Sequence, residues 1–544
     1  MSATITRKKL STTCVPPVAM LLLLLTMSAH AAAPGITGPT FNLTALPSRI
    51  SQPDGQSIYS WGYGCNGAPT GFAPAAITTG TCPTMQVPGP TLIVTEGQTV
   101  TVKLTNTLPN AAGNTSILFP GFQVTATGGV TGLTTQEAVP SGTTTPVACP
   151  AALSTSCVTY TFVASSPGTH SYYSGTQSDL QIEMGLYGAI IVLPSQTSTF
   201  ANCSSGLAAS NLVAEAHWGE SDFRLAKAAY DHAKTCYDRE YLFQFSEIDP
   251  NIHTQADAQV TALADCTAGA AGCSLQVATE PYHPAYFMIN GRSMPDDMDP
   301  NYAFEYPHQP YNGNPHMHPG EQVLLRVIGQ GRWQHPFHEH GNHVRILGRD
   351  GNLILSSTNA GEQNLAGPLM FTTTTTPGIA FDGIFYWTAK GLNWDAYGHN
   401  PSSADPTAKL PCTPDANGYN TGAPTAINYY EWCQDHNKPV QVAPFGDVAA
   451  GGPVTLPDAN ILTNGAWYGG SPYLGPNATV RATSNLGVTP PSGTIANSPS
   501  GEAGFAYMWH SHNEREITTN NAFPGGMLMM MLVDSREFVI DESN

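Results

Sequence analysis

Three segments in the first half of the chain resemble three segments in the second half, and the order is the same in both halves. The first copies span residues 88–106, 168–175 and 185–193, and the second copies span 315–329, 504–512 and 525–533. Within the first copy, residues 99–105 (TVTVKLT) alternate polar and apolar side chains, which is the period of a half-buried β-strand. The repeat predicts two copies of one folding unit, and the strand pattern indicates that this unit is a β-sandwich.

The remainder of the chain is consistent with an all-β protein built from two such units. Its 53 glycines and 45 prolines supply many turns, and 544 residues suffice for two to four domains. We expect sandwich domains over residues 35–200 and 238–544, joined by a connector at 201–237. The pattern of residues 221–239 predicts a short helix in this connector. A Gly-, Pro- and Asn-rich insertion at about 391–500 enlarges the second domain.

The first 31 residues have the pattern of a cleaved export signal. Three basic residues at 7–9 precede an apolar run that includes five leucines at 21–25, and Ala29-His30-Ala31 is a small-x-small cleavage site. No later apolar run reaches the length of a membrane span, so we expect a mature chain without a transmembrane segment. The sequence therefore predicts an exported protein, in the periplasm, at the cell surface or outside the cell.

The cysteine count agrees with an oxidising compartment. Eleven cysteines are present, and Cys14 falls in the signal segment, which leaves an even number in the mature chain. The close pairs predict disulfides between Cys65 and Cys82, Cys149 and Cys157, Cys266 and Cys273, and Cys412 and Cys433, leaving Cys203 for Cys236. Sequence alone leaves this connectivity open. None of the ten mature cysteines lies in a histidine-rich segment.

The charge of the chain excludes one class of partner. Only 11% of the residues are charged, and the formal net charge is −19. Binding to nucleic acid or to an anionic membrane face is therefore not expected. A metal cation remains a suitable partner, although many exported proteins are acidic without one.

The histidines form two short motifs. WQHPFHEHGNH contains His335, His338 and His340, and MWHSH contains His510 and His512. Two histidines that flank one residue share a face of a strand, so each H-x-H motif presents two imidazoles together. Neighbouring strands can combine the two pairs into four nitrogen donors, which suit Cu(II), Zn(II) or Ni(II). Strand-end histidines that only bond one another are the structural alternative, but two H-x-H pairs favour a metal site.

These motifs resemble those of the multicopper oxidases, laccase-like proteins built of cupredoxin domains. HPFHEHG is followed by a C-terminal HSH and a Gly-Met turn, and segments such as PGPTLIVTEGQTV and FMINGRSMPDD add to the likeness. The resemblance implies Greek-key sandwiches and copper as the cofactor. It implies that His338, His340, His510 and His512 are cluster ligands and that His335 is a ligand of a mononuclear blue copper.

Several positions depart from the family pattern. Ser511 stands at the position of the blue-copper cysteine, and Glu516 stands at that of the second blue-site histidine. Met527 is a candidate axial ligand but lies further along the chain than the pattern expects. The first-domain positions for cluster histidines read Phe-Pro-Gly at 119–121 and Tyr-Ser-Gly at 173–175. A serine hydroxyl is a hard donor and a poor Cu(I) ligand, so the resemblance implies a reduced copper complement.

The sequence therefore favours an exported, copper-binding oxidoreductase of this family. Its substrate is a metal ion, a phenol or an external electron carrier, and the catalytic residues beyond the metal ligands are unknown. A non-enzymatic extracellular structural or metal-binding protein on the same scaffold is the alternative. A copper nitrite reductase is disfavoured, because it also needs the cysteine.

Two further motifs have competing interpretations. His316-Met317-His318, with His308 nearby, resembles a soft copper-loading patch on the surface or else is a polar loop. The methionines at 527 and 529–531 could deliver copper, but in the repeat they replace an apolar strand. Core packing is the interpretation we favour for them.

Overall fold

The computed structural model shows an all-β chain. It describes residues 32–77, 80–195, 220–359, 362–388, 390, 411–423, 429–430, 432–435, 470–474, 503–534, 540 and 542. Four large sheets form two sandwiches, one from the first half of the chain and one from the second. The predicted fold of two cupredoxin-like sandwiches is confirmed. The predicted signal peptide lies outside the described residues.

The first sandwich contains two five-stranded sheets. Its strands are β1 (Gly35–Thr37), β2 (Thr40–Ser51), β3 (Ser57–Cys65), β4 (Phe72–Ala73), β5 (Leu92–Thr95), β6 (Thr99–Asn106), β7 (Thr125–Gly128), β8 (Val130–Thr131), β9 (Gln136–Glu137), β10 (Cys157–Val163), β11 (Gly168–Tyr173) and β12 (Tyr187–Leu193). The sheet orders are β11-β12-β5-β1-β4 and β3-β2-β6-β10-β7, while β8 pairs with β9. A 3-10 helix (Asn110–Ala112) follows β6, and the helical turn α1 (Ser178–Gln181) precedes β12.

Strand β6 shows why this half folds as a sandwich. Val100, Val102 and Leu104 are fully buried, whereas Thr99 is exposed and Lys103 is partly exposed. The predicted alternation is thus confirmed, and the apolar face of β6 joins the core between the two sheets. β6 pairs with β2 in parallel and with β10 in antiparallel orientation.

The second sandwich contains a seven-stranded and a six-stranded sheet. Its strands are β13 (Arg239–Ile248), β14 (Tyr286–Ile289), β15 (His316–Met317), β16 (Gln322–Gly329), β17 (His335–Glu339), β18 (Val344–Arg349), β19 (Asn352–Leu353), β20 (Leu369–Met370), β21 (Thr372–Thr375), β22 (Ala380–Tyr386), β23 (Gly470–Leu474), β24 (Ala503–Ser511) and β25 (Leu528–Asp534). The orders are β14-β13-β16-β22-β18-β19, with β20 on β18, and β15-β25-β24-β17-β21, with β23 on β24. Short 3-10 helices lie at Asp296–Met298, Cys433–Asp435 and Glu514–Ile517.

The first sandwich covers the outer face of the seven-stranded sheet. All ten residues of β13 are buried, because alternate side chains face opposite layers. Phe243 joins the core between the two sheets of the second sandwich. Leu242 instead packs with Ala189 and Ile191 of β12. The six-stranded sheet therefore lies on the side of the second sandwich that is remote from this contact.

The methionine run forms part of the second core. Met527, Met529 and Met531 are fully buried and belong to the cluster between the two sheets. The prediction that these methionines serve packing is confirmed. Thioether side chains fill irregular space in such cores.

A pair of substitutions separates packing from metal delivery at Met529. Met529→Ala leaves a cavity and should lower the free energy of unfolding by about 2–5 kcal/mol. Met529→Leu conserves volume and should cost less than about 1.5 kcal/mol. Denaturant unfolding measures both, and copper content measured beside it should equal that of the wild type in both variants. Loss of copper in the well-folded leucine variant would assign this side chain to metal handling.

The predicted connector helix at 221–239 is wrong. Residues 220–238 form turns and irregular backbone, and Arg239 begins β13. Ala228, Ala229 and Tyr230 are buried in succession, which an amphipathic surface helix does not allow. They pack on the second sandwich, and the Tyr230 hydroxyl donates to Asp382 Oδ2 at 2.6 Å. Tertiary contacts therefore override the local helical pattern.

A helix that the sequence did not reveal lies further along the chain. α2 (Pro250–Ala262) begins after Asp249, whose side chain accepts a hydrogen bond from the Asn251 backbone N–H at 2.9 Å. Proline at the first helical position suits this start. Ile252 and Ala256 on its buried face enter the core of the first sandwich. This helix therefore fixes the two halves of the chain against each other.

The four close cysteine pairs form disulfides as predicted. They are Cys65–Cys82, Cys149–Cys157, Cys266–Cys273 and Cys412–Cys433. Cys236 is also disulfide-bonded. Its predicted partner, Cys203, lies outside the described residues.

The predicted insertion at 391–500 lies largely outside the described residues. Its described parts include the Cys412–Cys433 disulfide and strand β23, which pairs with β24 in the six-stranded sheet. Among the described parts of the chain, no helix has the length and apolar character needed to span a bilayer.

Candidate metal centre

Strands β17 and β24 are neighbours in the six-stranded sheet, and their pairing places histidines side by side. In the antiparallel register His338 is opposite His510, and Glu339 is opposite Trp509. Trp509 belongs to the core between the sheets. Since side chains alternate along a strand, His338, His340 and His510 leave the opposite, outer face.

Three of these side chains form a compact group, the histidine trio (His338, His340 and His510). One nitrogen from each lies within 4.8 Å of the others. Nε2 of His340 is 3.2 Å from Nε2 of His510. His512 lies at the rim, with its ring centroid 4.8 Å from that of His338 and its side chain 48% exposed. The structure thus brings together four of the five predicted ligands.

Hydrogen bonds fix the orientation of two trio rings. Nδ1 of His338 is 2.7 Å from Thr372 Oγ1, and Nδ1 of His510 is 2.7 Å from the carbonyl oxygen of Ser511. A carbonyl oxygen only accepts, so Nδ1 of neutral His510 carries the proton and Nε2 carries the lone pair. These contacts leave Nε2 as the metal-binding nitrogen of both rings, the arrangement in which outer hydrogen bonds orient a metal ligand.

The environment of the trio favours neutral imidazoles. Burial, together with the neighbouring His510 and His512, lowers the pKa of His338 to about 4. Burial also lowers the pKa of His510. Metal binding needs an unprotonated nitrogen, and both rings supply one at neutral pH. A set of three neutral imidazoles fits copper, zinc or nickel.

His335 does not join the trio. It lies on the inner face of β17 and is fully buried. Its Nδ1 is 2.8 Å from Glu516 Oε2, and its Nε2 is 2.9 Å from Glu247 Oε2. These two carboxylates raise its pKa to about 9 against the opposing effect of burial, so the ring is a cation at neutral pH. The expectation that His335 binds a metal is therefore not supported by its surroundings.

The other residues of the expected mononuclear site also bond to one another. Ser511 Oγ donates to Glu516 Oε2, and the Asn513 side-chain amide donates to Glu516 Oε1 at 2.9 Å. Met527 is tied by its backbone, whose carbonyl accepts from Ser511 N–H at 3.0 Å. Oxygen groups thus stand where the resemblance places sulfur and nitrogen ligands.

One segment of the first sandwich matches a known family model. Residues 77–197 match the family model described as multicopper oxidase. This segment of the first sandwich is similar to multicopper oxidases. The sequence of the chain matches none of the curated proteins.

Solved structures of copper proteins are distantly similar. The multicopper oxidase mgLAC is 14% identical, with a TM-score of 0.42 and coverage of 92% of this chain and 88% of that chain. A blue copper oxidase from Nitrosomonas europaea is 14% identical, with a TM-score of 0.41 and coverage of 90% and 85%. A copper nitrite reductase from the same organism is 17% identical, with a TM-score of 0.36 and coverage of 64% and 85%. Similarity at this level does not assign a function.

Aromatic residues occupy the positions that the resemblance assigns to cluster histidines in the first sandwich. Phe119 is buried, with its ring centroid 4.8 Å from that of Phe162 and 5.9 Å from that of Tyr172. Tyr173 lies in the last position of β11, where it lines a small cavity of about 150 Å³ with Gly378 and other residues. Neither side chain is a metal ligand of the imidazole type, so histidine donors from this domain are not available at these positions.

The His316-Met317-His318 segment is neither a surface copper patch nor a polar loop, so both interpretations are wrong. All three residues are buried, and His316 and Met317 form β15 beside β25. His318 Nε2 is 2.7 Å from Glu220 Oε1. Glu220 Oε1 also accepts from the Ile540 backbone N–H at 2.9 Å.

The residues around His318 have the composition of a metal site, but an arginine already supplies the positive charge that pairs with their carboxylates. Ligand atoms of Glu220, His318 and Glu321 lie within 4.8 Å of one another. The Arg239 guanidinium is 2.6 Å from Glu220 and 2.7 Å from Glu321. Sequence reasoning missed this cluster because Glu220 lies 98 residues from His318, Arg239 lies 82 residues from Glu321, and no motif links the two segments. We interpret it as a buried ion-pair cluster.

Proposed function

We propose that this protein is an exported, copper-binding oxidoreductase with a reduced copper complement. The histidine trio on the outer face of the six-stranded sheet supports the proposal. Copper is the metal we favour among those that suit three imidazoles, because residues 77–197 match the multicopper oxidase family model. His338, His340 and His510 would hold it, with His512 at the rim.

A bound copper ion would supply one-electron transfer. The chain would contribute neutral imidazoles, and Thr372 and the Ser511 carbonyl would orient two of the rings through Nδ1. Within the described part of the chain no thiolate donor accompanies this site, because Ser511 lacks sulfur and the described cysteines are disulfide-bonded. A reductant would therefore have to deliver electrons at the outer face, where His512 and Phe371 are exposed. A metal ion, a phenol and an external electron carrier are the candidate substrates.

Export to the periplasm, the cell surface or the medium is part of the proposal. The signal-like segment at residues 1–31 supports it. The four disulfides formed by close cysteine pairs agree with an oxidising compartment.

A non-enzymatic metal-binding protein on the same scaffold is the second candidate. The serine at position 511 favours this candidate, since the resemblance implies that electrons enter through a cysteine thiolate at that position. Both candidates bind copper at the trio, so turnover is the property that distinguishes them.

One experiment tests the proposed function. The mature protein is loaded with Cu(II), dialysed, and analysed for copper, for its optical and EPR spectra, and for oxygen consumption with Fe(II), a phenol or a reduced carrier. We expect bound copper without an intense red-region thiolate band, and oxygen consumption above that of a His338→Ala/His510→Ala control. Bound copper without oxygen consumption supports the second candidate. A strong thiolate band with narrow copper hyperfine splitting would show that a cysteine binds the metal.

A further inference from the structure

A buried imidazole between two carboxylates occupies the pocket that the resemblance assigns to a mononuclear copper. We call Glu247, His335 and Glu516 the His335 triad. All three side chains are fully buried. Glu247 lies on β13 of the seven-stranded sheet, His335 on β17 of the six-stranded sheet, and Glu516 in the 3-10 helix after β24. The triad therefore connects the two layers of the second sandwich.

The geometry of the triad is unsuited to one metal ion. The two carboxylates approach opposite ring nitrogens, Glu516 at Nδ1 and Glu247 at Nε2. A metal ion binds one nitrogen of an imidazole, so it cannot collect both carboxylates around His335. The Glu516 oxygen that faces Nδ1 also accepts from Ser511 Oγ. A copper ion would have to break these bonds and would find hard oxygen donors in place of a thiolate.

Hydrogen-bond donors around the triad hold Glu247 in place. Glu247 Oε1 accepts from the backbone N–H groups of Arg332 and Trp333 at 2.7 and 2.8 Å, and from the Tyr282 hydroxyl at 3.2 Å. The same hydroxyl is 2.6 Å from Glu183 Oε2 of the first sandwich. The Arg332 guanidinium stacks on the Tyr282 ring at 4.1 Å.

The other groups facing the triad carry no further charge onto the ring. Asn513 contacts Glu516, and Thr375 Oγ1 donates to the His335 carbonyl at 3.2 Å. The ring of Phe245 lies 6.4 Å from the His335 ring. The described contacts of the His335 ring therefore include two carboxylates and no other charged group, with Glu183 as the next acidic group beyond Tyr282.

We propose that the expected mononuclear copper pocket is replaced in this chain by a metal-independent ion-pair link, in which protonated His335 bridges Glu247 and Glu516 and joins the two sheets. This inference concerns a different set of side chains from the trio and does not depend on the proposed function. Breaking a buried pair leaves an uncompensated charge, so the link is costly to remove.

The link has a definite pH dependence. The pKa of His335 is raised from 6.5 to about 9 in the folded chain. Its contribution to stability is therefore fully present below about pH 6.5 and is lost as the pH rises through about 9. A histidine bound to copper would show no such titration.

The test uses the mature protein labelled with ¹⁵N-histidine. NMR should show one imidazole ring that is doubly protonated at pH 7 and titrates near pH 9. The absence of this signal from His335→Gln assigns it to His335. His335→Gln should lower the melting temperature by roughly 10 °C at pH 7 and by less at pH 10. The exposed control His283→Gln should leave the melting temperature unchanged. Copper content should be the same in the wild-type protein, in His335→Gln and in the control variant.

Two outcomes would overturn the inference. One is a neutral His335 ring at pH 7 in the wild-type protein, which needs no variant to fold. The other is copper that remains bound in His338→Ala/His510→Ala and is lost when His335→Gln is added. Glu516→Gln provides a second variant of nearly the same shape, and it should lower the pKa of the His335 ring while leaving copper at the trio. If the wild-type protein bound no copper at the trio, the proposed function would be refuted, while the inference about the His335 link would be unaffected.

Discussion

Alanine at both His338 and His510 is expected to remove copper from the protein. The two rings lie opposite each other in the β17–β24 pairing and supply two of the three nitrogens of the trio. Loss of one outer hydrogen-bond partner costs about 10–100-fold in metal affinity, and loss of two ligands should cost more than that. Elemental analysis after dialysis should find no stoichiometric copper in the double variant.

Two further substitutions give this prediction a graded control. Thr372→Val removes only the Nδ1 partner of His338 and should weaken copper binding by about 10–100-fold. His343→Ala changes a nearby histidine that contacts Phe371 and lies outside the trio, so it should leave copper content unchanged. If the double alanine variant kept its copper, the site would have to be sought elsewhere, first at the Glu220–His318–Glu321 group.

Ser511→Cys combined with Glu516→His should turn the copper-loaded protein blue. The double substitution restores a thiolate and a second imidazole beside Nδ1 of His335. Glu247 would remain on Nε2, as the carboxylate that orients a metal-bound histidine does in many sites. Replacing Glu516 also removes the carboxylate that now occupies Nδ1. Visible spectroscopy of the Cu(II)-loaded variant should show an intense thiolate charge-transfer band that the wild type lacks.

The single variant Ser511→Cys is the matched control, and it should develop a weaker band because Glu516 still holds Nδ1. Ser511→Ala/Glu516→His tests whether colour requires sulfur and should remain pale. Circular dichroism shows whether each variant is folded. Folded double variants without a thiolate band would mean that the backbone between Glu516 and Met527 no longer allows a mononuclear site.

Local sequence patterns predicted the parts of the structure that depend on neighbouring residues. The alternation at 99–105 gave strand β6, and the H-x-H motifs placed His338 with His340 and His510 with His512. The disulfides at short sequence separation were also predictable. These features follow from strand periodicity and from proximity along the chain.

Features that depend on distant partners could not be read from the sequence. Glu247 and Glu516 lie 88 and 181 residues from His335, and no motif links them. A ligand-like histidine therefore proved to be an ion-pair partner. In the same way, the helical pattern at 221–239 gave no sign that Tyr230 would bond Asp382, which is 152 residues away.

The alternation of side chains along β17 and β24 couples the metal centre to the core. Odd-numbered residues, such as Phe337, Trp509 and Ser511, face inward, while even-numbered residues, such as His338 and His510, face outward. Deletion of a single residue within either strand would reverse this parity beyond the deletion. Imidazoles would then enter the apolar interior while aromatic rings left it. A change of one residue in the length of either strand would therefore alter the core and the metal centre together.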